Sequence, residues 1–284
     1  MNEFSYPENF VRYLGTGGAR FTVIHQYRAT GGIWFRYAGV NGVIDSGPGC
    51  LAQICAAYPP LDPTEIRALL LTHKHIDHST DADIIIEAMT DGGHKRQGEI
   101  LLTRDCAFEK DPVVLEHSLK KVSSIFEIQD GKVITLEGGV QIEPVRHVHH
   151  GVECFGFIFS KKGFPTWGVI SDTRPLETFA KRYKKCSYIS LNATMLIKRP
   201  TVDHFSLPDV AELLQTLKPK LVTLSHMGQR IVKGRPDTLA AQLSTDKTKV
   251  VAGRDGMIID LDTLKVYAPP VKRKRKVNYK EFNE

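Results

Sequence analysis

The sequence contains no long hydrophobic run. A membrane-spanning helix needs about 18–20 consecutive apolar residues, and no stretch of the 284 residues approaches that length. The first ten residues, MNEFSYPENF, are acidic and aromatic, whereas a signal peptide begins with basic residues followed by an apolar core. We therefore expect no membrane partner and a cytoplasmic location.

Cysteine is also scarce. The five cysteines are odd in number, widely spaced and form no C-x-x-C pair: Cys50, Cys55, Cys106, Cys154 and Cys186. A disulfide framework needs paired cysteines in an oxidising compartment. We interpret these cysteines as small buried hydrophobic residues in a reducing compartment.

Strong charge is missing from the body of the chain. The net charge is +6, but the tail VKRKRKVNYKEFNE, residues 271–284, contains six Lys or Arg and two Glu and so carries +4 of it. With 42% hydrophobic and 25% charged residues, the composition is that of an ordinary globular protein with a sizeable core. We expect one domain over residues 1–268. We expect residues 269–284 to form a basic tail that is either solvated or in contact with phosphates.

The order of secondary-structure patterns indicates the fold class. FTVIHQYR, GIWFRYAG and NGVIDSG are β-branched or aromatic runs separated by glycines and predict an antiparallel meander. Helical spacing then follows in LAQICAAYP, HSTDADIIIEAMT and LPDVAELLQTLKP, each near a strand such as IRALLLTH, KLVTLSH or TKVVAG. Strands followed by alternating strands and helices predict an α+β fold, with two mixed β-sheets packed face to face and helices outside.

Four metal-binding side chains fall within six positions of the segment LTHKHIDHSTD, residues 71–81. They are His73, His75, Asp77 and His78, and they follow an apolar strand. Positions two apart on an extended turn point the same way, so His73 and His75 can bind one ion while Asp77 and His78 face a second. Packing alone does not explain such a cluster, and neutral imidazoles with a carboxylate suit zinc or a similar divalent metal.

Further candidate ligands follow other predicted strands. His147, His149 and His150 lie in EPVRHVHHGVECFGF, Asp172 follows the strand of GVISDTRP, and His226 follows the strand of LVTLSHMG. Each of these residues alone is compatible with a turn or a core histidine. Their repeated position at strand ends favours one shared metal centre.

The pattern H-x-H-x-D-H, a later His, the aspartate of S-D-T and a late strand-end His resemble the metallo-β-lactamase fold hydrolases. The matching motifs extend from Gly15 to Arg230. The resemblance implies an αββα sandwich with two metals at one edge. His73, His75 and a third histidine would bind one metal. Asp77, His78 and His226 would bind the other, with Asp172 bridging.

The third histidine has three candidates. We prefer His150, because HGVECFG places a glycine six residues later at the start of a strand, as in the family segment. His147 is the second choice and His149 the third.

Within this superfamily, the sequence most resembles ribonuclease Z and related phosphodiesterases. YLGTGG resembles their first strand and loop, and HFS at His204 lies 22 residues before His226, similar to their late histidine motif. HMGQR matches their H-x-S-x-R pattern at Arg230, but Gly228 stands where Ser is usual. The long Gly- and Pro-rich arm that grips tRNA and the basic loop after the first strand are both missing from the sequence. These departures favour a smaller phosphodiester, cyclic or nucleotide-like, over tRNA 3′ processing.

The expected activity is that of a dinuclear metal-dependent phosphodiesterase. Two ions that share a hydroxide lower the pKa of water from about 15.7 toward about 7. We expect Zn²⁺, with Mn²⁺ or Fe²⁺ as alternatives, and a phosphodiester partner of nucleotide or RNA type; a homodimer is left open. Arg230 would stabilise phosphoryl charge and His204 would protonate the leaving group, and we count Asp77 with them as catalytic.

Other activities share the same ligand pattern. Thioester, lactone and β-lactam hydrolases have the same H-x-H-x-D-H core, but acyl chemistry has less need of a residue such as His204. A redox di-iron protein of this fold resembles H-x-E-x-D, and His75 occupies the position of that Glu. A non-catalytic binding module would have lost ligands, and none is missing here.

Overall fold

The computed structural model describes residues 4–270 of the chain, and these residues form two eight-stranded sheets with helices outside. The first six strands are β1 (Phe10–Tyr13), β2 (Ile33–Tyr37), β3 (Val40–Ile44), β4 (Ala68–Leu70), β5 (Glu99–Leu102) and β6 (Ser124–Glu127). The next eight are β7 (Ile134–Thr135), β8 (Gln141–Arg146), β9 (Phe155–Ser160), β10 (Trp167–Ile170), β11 (Tyr188–Met195), β12 (Phe205–Ser206), β13 (Leu221–Ser225) and β14 (Lys249–Ala252). The last two are β15 (Ile258–Asp260) and β16 (Val266–Tyr267).

Both sheets are mixed. The first has the order β16-β15-β1-β2-β3-β4-β5-β6, and the second has the order β14-β13-β11-β10-β9-β8-β7, with β12 paired to β11. Strands β3 to β6 are parallel neighbours, and so are β10, β11, β13 and β14. The predicted α+β class with two mixed sheets is confirmed.

The helices are short and lie on the outer faces. They are α1 (Arg20–Ile24), α2 (Cys50–Cys55), α3 (Ile76–Ser79), α4 (Ala82–Met89), α5 (Arg104–Ala107), α6 (Glu116–Leu119), α7 (Phe179–Arg182), α8 (Leu207–Thr216), α9 (Gln229–Val232) and α10 (Pro236–Gln242), with a 3₁₀ turn at Pro63–Glu65. Helix α8 begins as the sequence predicts. Ser206 caps it by accepting a hydrogen bond from the Asp209 amide, and the Asp209 carboxylate accepts one from the Ser206 amide.

Three apolar clusters show the layer order. Phe35, Phe157 and Trp167 belong to the cluster between the two sheets. A second cluster packs the outer face of the first sheet against α2 and α4, and a third packs the outer face of the second sheet against α7 and α8. Each sheet therefore buries its inner face against the other sheet and its outer face against helices, which produces the predicted αββα sandwich.

One predicted strand is wrong. FTVIHQYR, expected as part of the meander, contains the helical turn α1, and the meander is instead formed by β1, β2 and β3. β-Branched residues favour strands only where a neighbouring strand is present to pair with them. Here the Thr22 hydroxyl donates to the Met227 carbonyl oxygen at 3.3 Å, and Gly17 pairs with Met227, so the loop is tied to the second sheet and curls into a turn.

Two other expectations concern the cysteines and the tail. Four cysteines are buried, Cys55 is exposed, and all five are free thiols. Most of the predicted basic tail, residues 271–284, lies outside the described residues. Across residues 4–270, no helix is long and apolar enough to cross a membrane.

Candidate metal centre

The candidate site lies where strands of both sheets end. Strand β4 of the first sheet leads into residues 72–79, and in the second sheet β10 leads to Asp172 and β13 to His226. The segments meet closely: the Nε2 atoms of His78 and His226 are 3.1 Å apart. The carboxyl ends of these strands therefore bring residues distant in the chain to one edge of the sandwich.

Three histidine nitrogens form the first donor group. The Nδ1 atom of His75 lies 3.1 Å from His73 Nε2 and 3.1 Å from His149 Nε2. His73 and His149 are buried, and His75 is partly exposed. Three nitrogens that face one another at this spacing can hold one metal ion.

The second donor group contains Asp77, His78 and His226. Asp77 Oδ2 lies 3.3 Å from His226 Nε2 and 3.9 Å from His78 Nε2. Both histidines are buried, while Asp77 is partly exposed. This group can hold a second ion close to the first.

Asp172 lies between the two groups. Its Oδ2 atom is 3.4 Å from His78 Nε2 in the second group and 3.7 Å from His149 Nε2 in the first. The Nδ2 of Asn192 donates a hydrogen bond of 2.8 Å to the other carboxylate oxygen, Oδ1, and holds the plane of the carboxylate. The side chain is 2% exposed, so its charge is hardly screened by water.

The partners of the imidazoles determine which nitrogen is free. The Thr72 hydroxyl donates its proton to Asp45 Oδ2 at 2.9 Å, so toward His73 its oxygen is an acceptor, and the Nδ1–H of His73 donates to it, also at 2.9 Å. Asp45 Oδ2 also accepts from His78 Nδ1 at 2.8 Å. With Nδ1 occupied by these partners, the Nε2 atom of each ring faces the site.

The Nδ1 atoms of His149 and His226, the other two buried histidines of the donor groups, are also occupied by outer partners. His149 Nδ1 donates to the backbone carbonyl of Asp203 at 2.8 Å. The Thr194 hydroxyl donates to the His226 carbonyl at 3.1 Å, so it accepts from His226 Nδ1 at 3.0 Å. Outer partners of this kind fix the tautomer and orientation of metal-binding histidines.

The sequence interpretation missed these outer partners. Asp45 follows the apolar strand β3 in NGVIDSG, which is the same pattern that singled out Asp172, so a signal for it was present. Thr194 and Asp203 have no such signal. Thr194 lies near the end of β11 and Asp203 in the loop that follows it, and a single sequence does not show that both approach the histidines.

Two glycines, Gly18 and Gly47, pack closely against residues of the second donor group. A Cβ atom on Gly18 would lie 2.1 Å from the ring of His226, and a Cβ on Gly47 would lie 2.1 Å from the Asp77 carbonyl oxygen. A side chain at either position would displace a candidate ligand. The glycines of YLGTGG and DSGPG therefore serve the site by letting the backbone approach it.

Most donors are in the protonation state that binds metal. Burial lowers the pKa of His75 to about 4, and it also lowers the pKa of His149 to about 4 although Asp172 opposes it. Burial alone would raise the pKa of Asp172, but the neighbouring histidines together hold it well below its usual range. At neutral pH, the ring nitrogens of His75 and His149 that face the site are therefore unprotonated, and the Asp172 carboxylate is ionised.

His78 titrates in the opposite direction. Burial alone would lower its pKa, but the carboxylates of Asp45, Asp77 and Asp172 outweigh burial and raise it well above the usual value. Three carboxylates around one buried ring are an excess of negative charge. A bound cation would neutralise that excess, so the donor set fits a divalent metal.

The geometry revises the choice of third histidine. His149 contacts His75 in the first group, whereas the His150 side chain is 40% exposed and its Nδ1 lies 3.9 Å from Asp203 Oδ2. His150 has a left-handed φ of 42°, so the chain turns there and directs the ring outward. The spacing to Gly156 favoured His150, and we propose His149 in its place on this geometry. His149, His150 and His204 also form a candidate group of three ring nitrogens. His147 is buried next to Tyr183 and belongs to none of the donor groups.

His204 and Arg230, the two predicted catalytic residues outside the ligand set, lie in different environments. His204 Nδ1 is 3.2 Å from Thr194 Oγ1 and 3.7 Å from Asp172 Oδ2, so the ring borders the donor groups. Arg230 is exposed, belongs to none of the donor groups and lines a neighbouring cavity. The predicted contact of Arg230 with the reacting phosphate is therefore not supported by its position.

A four-layer αββα sandwich with a His/Asp cluster at one sheet edge is the arrangement of metallo-β-lactamase fold proteins. The family model described as "Beta-lactamase superfamily domain" matches residues 41–227. The chain belongs to the β-lactamase superfamily, with the metallo-β-lactamase fold. This fold, together with the donor groups described above, implies that the protein binds divalent metal.

Two curated relatives have sequences similar to this chain. An uncharacterized protein of Methanocaldococcus jannaschii is 26% identical over 256 residues, 88% of this chain and 94% of that protein. Ribonuclease Z of Borreliella afzelii is 25% identical over 163 residues, 55% of this chain, and the match spans about half (49%) of that relative's length.

The similarity to solved structures covers most of the chain. The metallo-beta-lactamase fold protein YhfI of Bacillus subtilis has a TM-score of 0.70 at 16% identity, covering 89% of this chain and 99% of that one. A diphosphatase of the PhnP family has a TM-score of 0.67 at 17% identity, covering 88% and 96%. Human tRNase Z, short form, has a TM-score of 0.63 at 16% identity, covering 92% and 100%.

Proposed function

We propose that the protein is a dinuclear metal-dependent phosphodiesterase that acts on nucleotide-like, cyclic or RNA phosphodiesters. The observation that carries the proposal is the position of Asp172. One carboxylate oxygen lies within 4 Å of a nitrogen from each donor group, and a carboxylate between two dications offsets their repulsion.

The proposed ligands follow from the donor groups. His73, His75 and His149 would hold one ion; Asp77, His78 and His226 would hold the other; and Asp172 would contact both. Imidazole and carboxylate donors favour Zn²⁺ and are also compatible with Mn²⁺ or Fe²⁺.

The ions, the outer partners of the histidines and His204 would have separate roles in the reaction. Two bound ions would supply Lewis acidity to the phosphoryl oxygens and lower the pKa of water. Asp45, Asp203 and Thr194 would hold the imidazoles in the required tautomers. His204 makes no hydrogen bond through Nε2 to the described part of the chain, so that nitrogen is free to give a proton to the leaving alkoxide.

His204 needs a bound anion beside it before its ring can act as an acid. Burial lowers its pKa to about 4 although Asp172 opposes it. An anionic diester bound beside the ring would favour the imidazolium, because a nearby opposite charge raises a histidine pKa. A neutral ester or lactam would not. The names of ribonuclease Z and of the PhnP-family diphosphatase support the same substrate class.

The metal content tests the two-ion proposal and the third histidine together. We expect about two divalent ions per chain after reconstitution with zinc, because the proposed ligands form two groups. The His149→Ala variant should lose about one equivalent, whereas His150→Ala should keep both, as measured by elemental analysis of folded protein. A wild-type content below one equivalent, or loss of metal from the His150 variant alone, would contradict the assignment.

A substrate panel tests the reaction. We expect the metal-loaded enzyme to cleave bis-p-nitrophenyl phosphate and a dinucleotide at least about tenfold faster, in kcat/KM, than a thioester, a lactone or a β-lactam of similar leaving group. Chelation should abolish all of these activities. Faster turnover of the acyl substrates by the same margin would replace the phosphodiesterase proposal with that of an acyl hydrolase.

A further inference from the structure

A cavity of about 320 Å³ adjoins the metal centre, and we call it the Phe21 cavity. Thr194 is the residue common to both. It lines the cavity, and its hydroxyl contacts the rings of His204 and His226 at 3.2 and 3.0 Å. A group bound in the cavity would therefore lie one side chain away from the proposed proton donor.

One part of the cavity wall is an exposed aromatic ring. Phe21 lies on α1, and its side chain is 62% exposed. A phenyl ring left largely in water forgoes the stabilisation that contact with an apolar surface would supply. Ala19, which precedes α1, has a left-handed φ of 60°, and Gln26, just after it, has a φ of 47°. Such conformations cost energy in residues other than glycine and are commonest at ligand sites.

Another part of the wall is cationic. Arg199, from the loop after β11, and Arg230, on α9, line the same cavity. Both are exposed, and neither has an ion-pair partner among residues 4–270. The cavity lining contains no Asp or Glu. Two guanidinium groups without a counter-ion bind phosphate well, since each can donate two parallel hydrogen bonds.

We propose that the Phe21 cavity is a subsite for one nucleotide unit next to the scissile bond, with its base stacked on Phe21 and a second phosphate bound by Arg199 and Arg230. This inference rests on the proposed function and names the substrate class for it. It also gives Arg230 a role: the residue would bind the phosphate beyond the one that reacts.

The combination of groups selects this class of ligand. An aromatic platform favours a planar base, because nucleic-acid bases stack on aromatic side chains. The arginine pair requires an anion in addition to the one at the metals, which a simple aryl ester or a cyclic diester lacks. The volume is at the lower end of the roughly 300–1,000 Å³ typical of ligand pockets, so it suits one nucleotide unit.

Equilibrium binding tests the subsite without relying on turnover. We expect the zinc-loaded protein to bind adenosine 3′,5′-bisphosphate about 10- to 100-fold more tightly than adenosine 5′-monophosphate, as measured by calorimetry, because the second phosphate pairs with the arginines. The Arg230→Gln variant should lose most of this advantage. Phe21→Ala should weaken both ligands about 5- to 100-fold, and Phe21→Trp should restore binding.

Two matched variants control for general effects of charge and apolar area. Arg235 is exposed and lies five residues after Arg230, outside the cavity lining, so Arg235→Gln should not change either affinity. Ile24 is 65% exposed on the same short helix as Phe21 and is also outside the lining, so Ile24→Ala should behave like wild type. A short RNA in place of the bisphosphate tests whether a strand supplies the second phosphate.

The outcomes distinguish the subsite from the proposed function. Equal affinity for the two nucleotides, or equal losses in the control variants, would overturn the subsite even if diesters are cleaved. The predicted affinities in a protein that cleaves no diester would support the subsite and contradict the phosphodiesterase. With turnover present, Arg230→Gln should lower kcat/KM more for a dinucleotide with a terminal phosphate than for the same dinucleotide without it.

Discussion

The Asp172→Asn variant is expected to lose bound metal and activity together. Wild-type protein should hold about two divalent ions, and the variant should hold one or fewer under the same loading conditions. Turnover of any phosphodiester should fall by more than the roughly 10- to 100-fold that is typical for loss of an outer partner of a metal ligand. Elemental analysis and kinetics on the same folded sample measure both effects.

The physical reason is charge rather than shape. Asparagine has nearly the same volume and can keep one hydrogen bond with Asn192, whose Nδ2 lies 2.8 Å from Asp172 Oδ1. It lacks the negative charge that lies 3.4 and 3.7 Å from the two donor groups. Without that charge, two dications held a few ångströms apart repel each other with little compensation.

An exposed residue on the same loop is the control. Glu177 lies five positions after Asp172 and is exposed, so Glu177→Gln should keep both ions and full turnover. Circular dichroism of both variants checks that they are folded. An Asp172→Asn variant that retains two ions and wild-type turnover would mean that Asp172 is a buried structural carboxylate.

Local patterns were sufficient to predict most of the fold. The β-branched and aromatic content of IWFRY identifies a strand, and the apolar periodicity of PDVAELL identifies a helix. The segment around α1 was misassigned for a reason outside the local sequence. Contacts with Met227, more than 200 positions away, decide its conformation.

The position of the site could be predicted from the sequence, but the third histidine and the outer partners could not. Most residues singled out at the ends of apolar strands lie together in the structure, because parallel strands deliver their carboxyl ends to one sheet edge. The choice among three histidines in HVHH depends on ring direction, and the turn at His150 sets that direction. The outer partners depend on loop paths, which leave little trace in one sequence.

Arg230 illustrates the limit of motif transfer. The pattern HMGQR places it four positions after His226, which suggested contact with the reacting phosphate. A serine at position 228 would not fit this backbone, since a Cβ there would lie 2.4 Å from the Thr194 carbonyl oxygen. The glycine allows the end of β11 to pack against the start of α9, and Arg230 then lines the Phe21 cavity.

The His204→Ala variant should show the opposite pattern from Asp172→Asn. Both ions should remain bound, because His204 Nδ1 contacts Thr194 and Asp172 and the proposed ligand set is complete without it. Turnover of a dinucleotide should fall by about 10²–10⁴-fold, the range expected for loss of a general acid or base.

The size of the defect should depend on the leaving group. A ribose alkoxide needs a proton as the phosphorus–oxygen bond breaks, whereas p-nitrophenolate leaves almost unaided. The His204→Ala defect should therefore be large on the dinucleotide and small on bis-p-nitrophenyl phosphate. His117→Ala, at a histidine whose side chain is 61% exposed outside the donor groups, should change neither rate. An equal defect on both substrates would remove the general-acid role, and loss of metal from the His204 variant would make that residue a ligand instead.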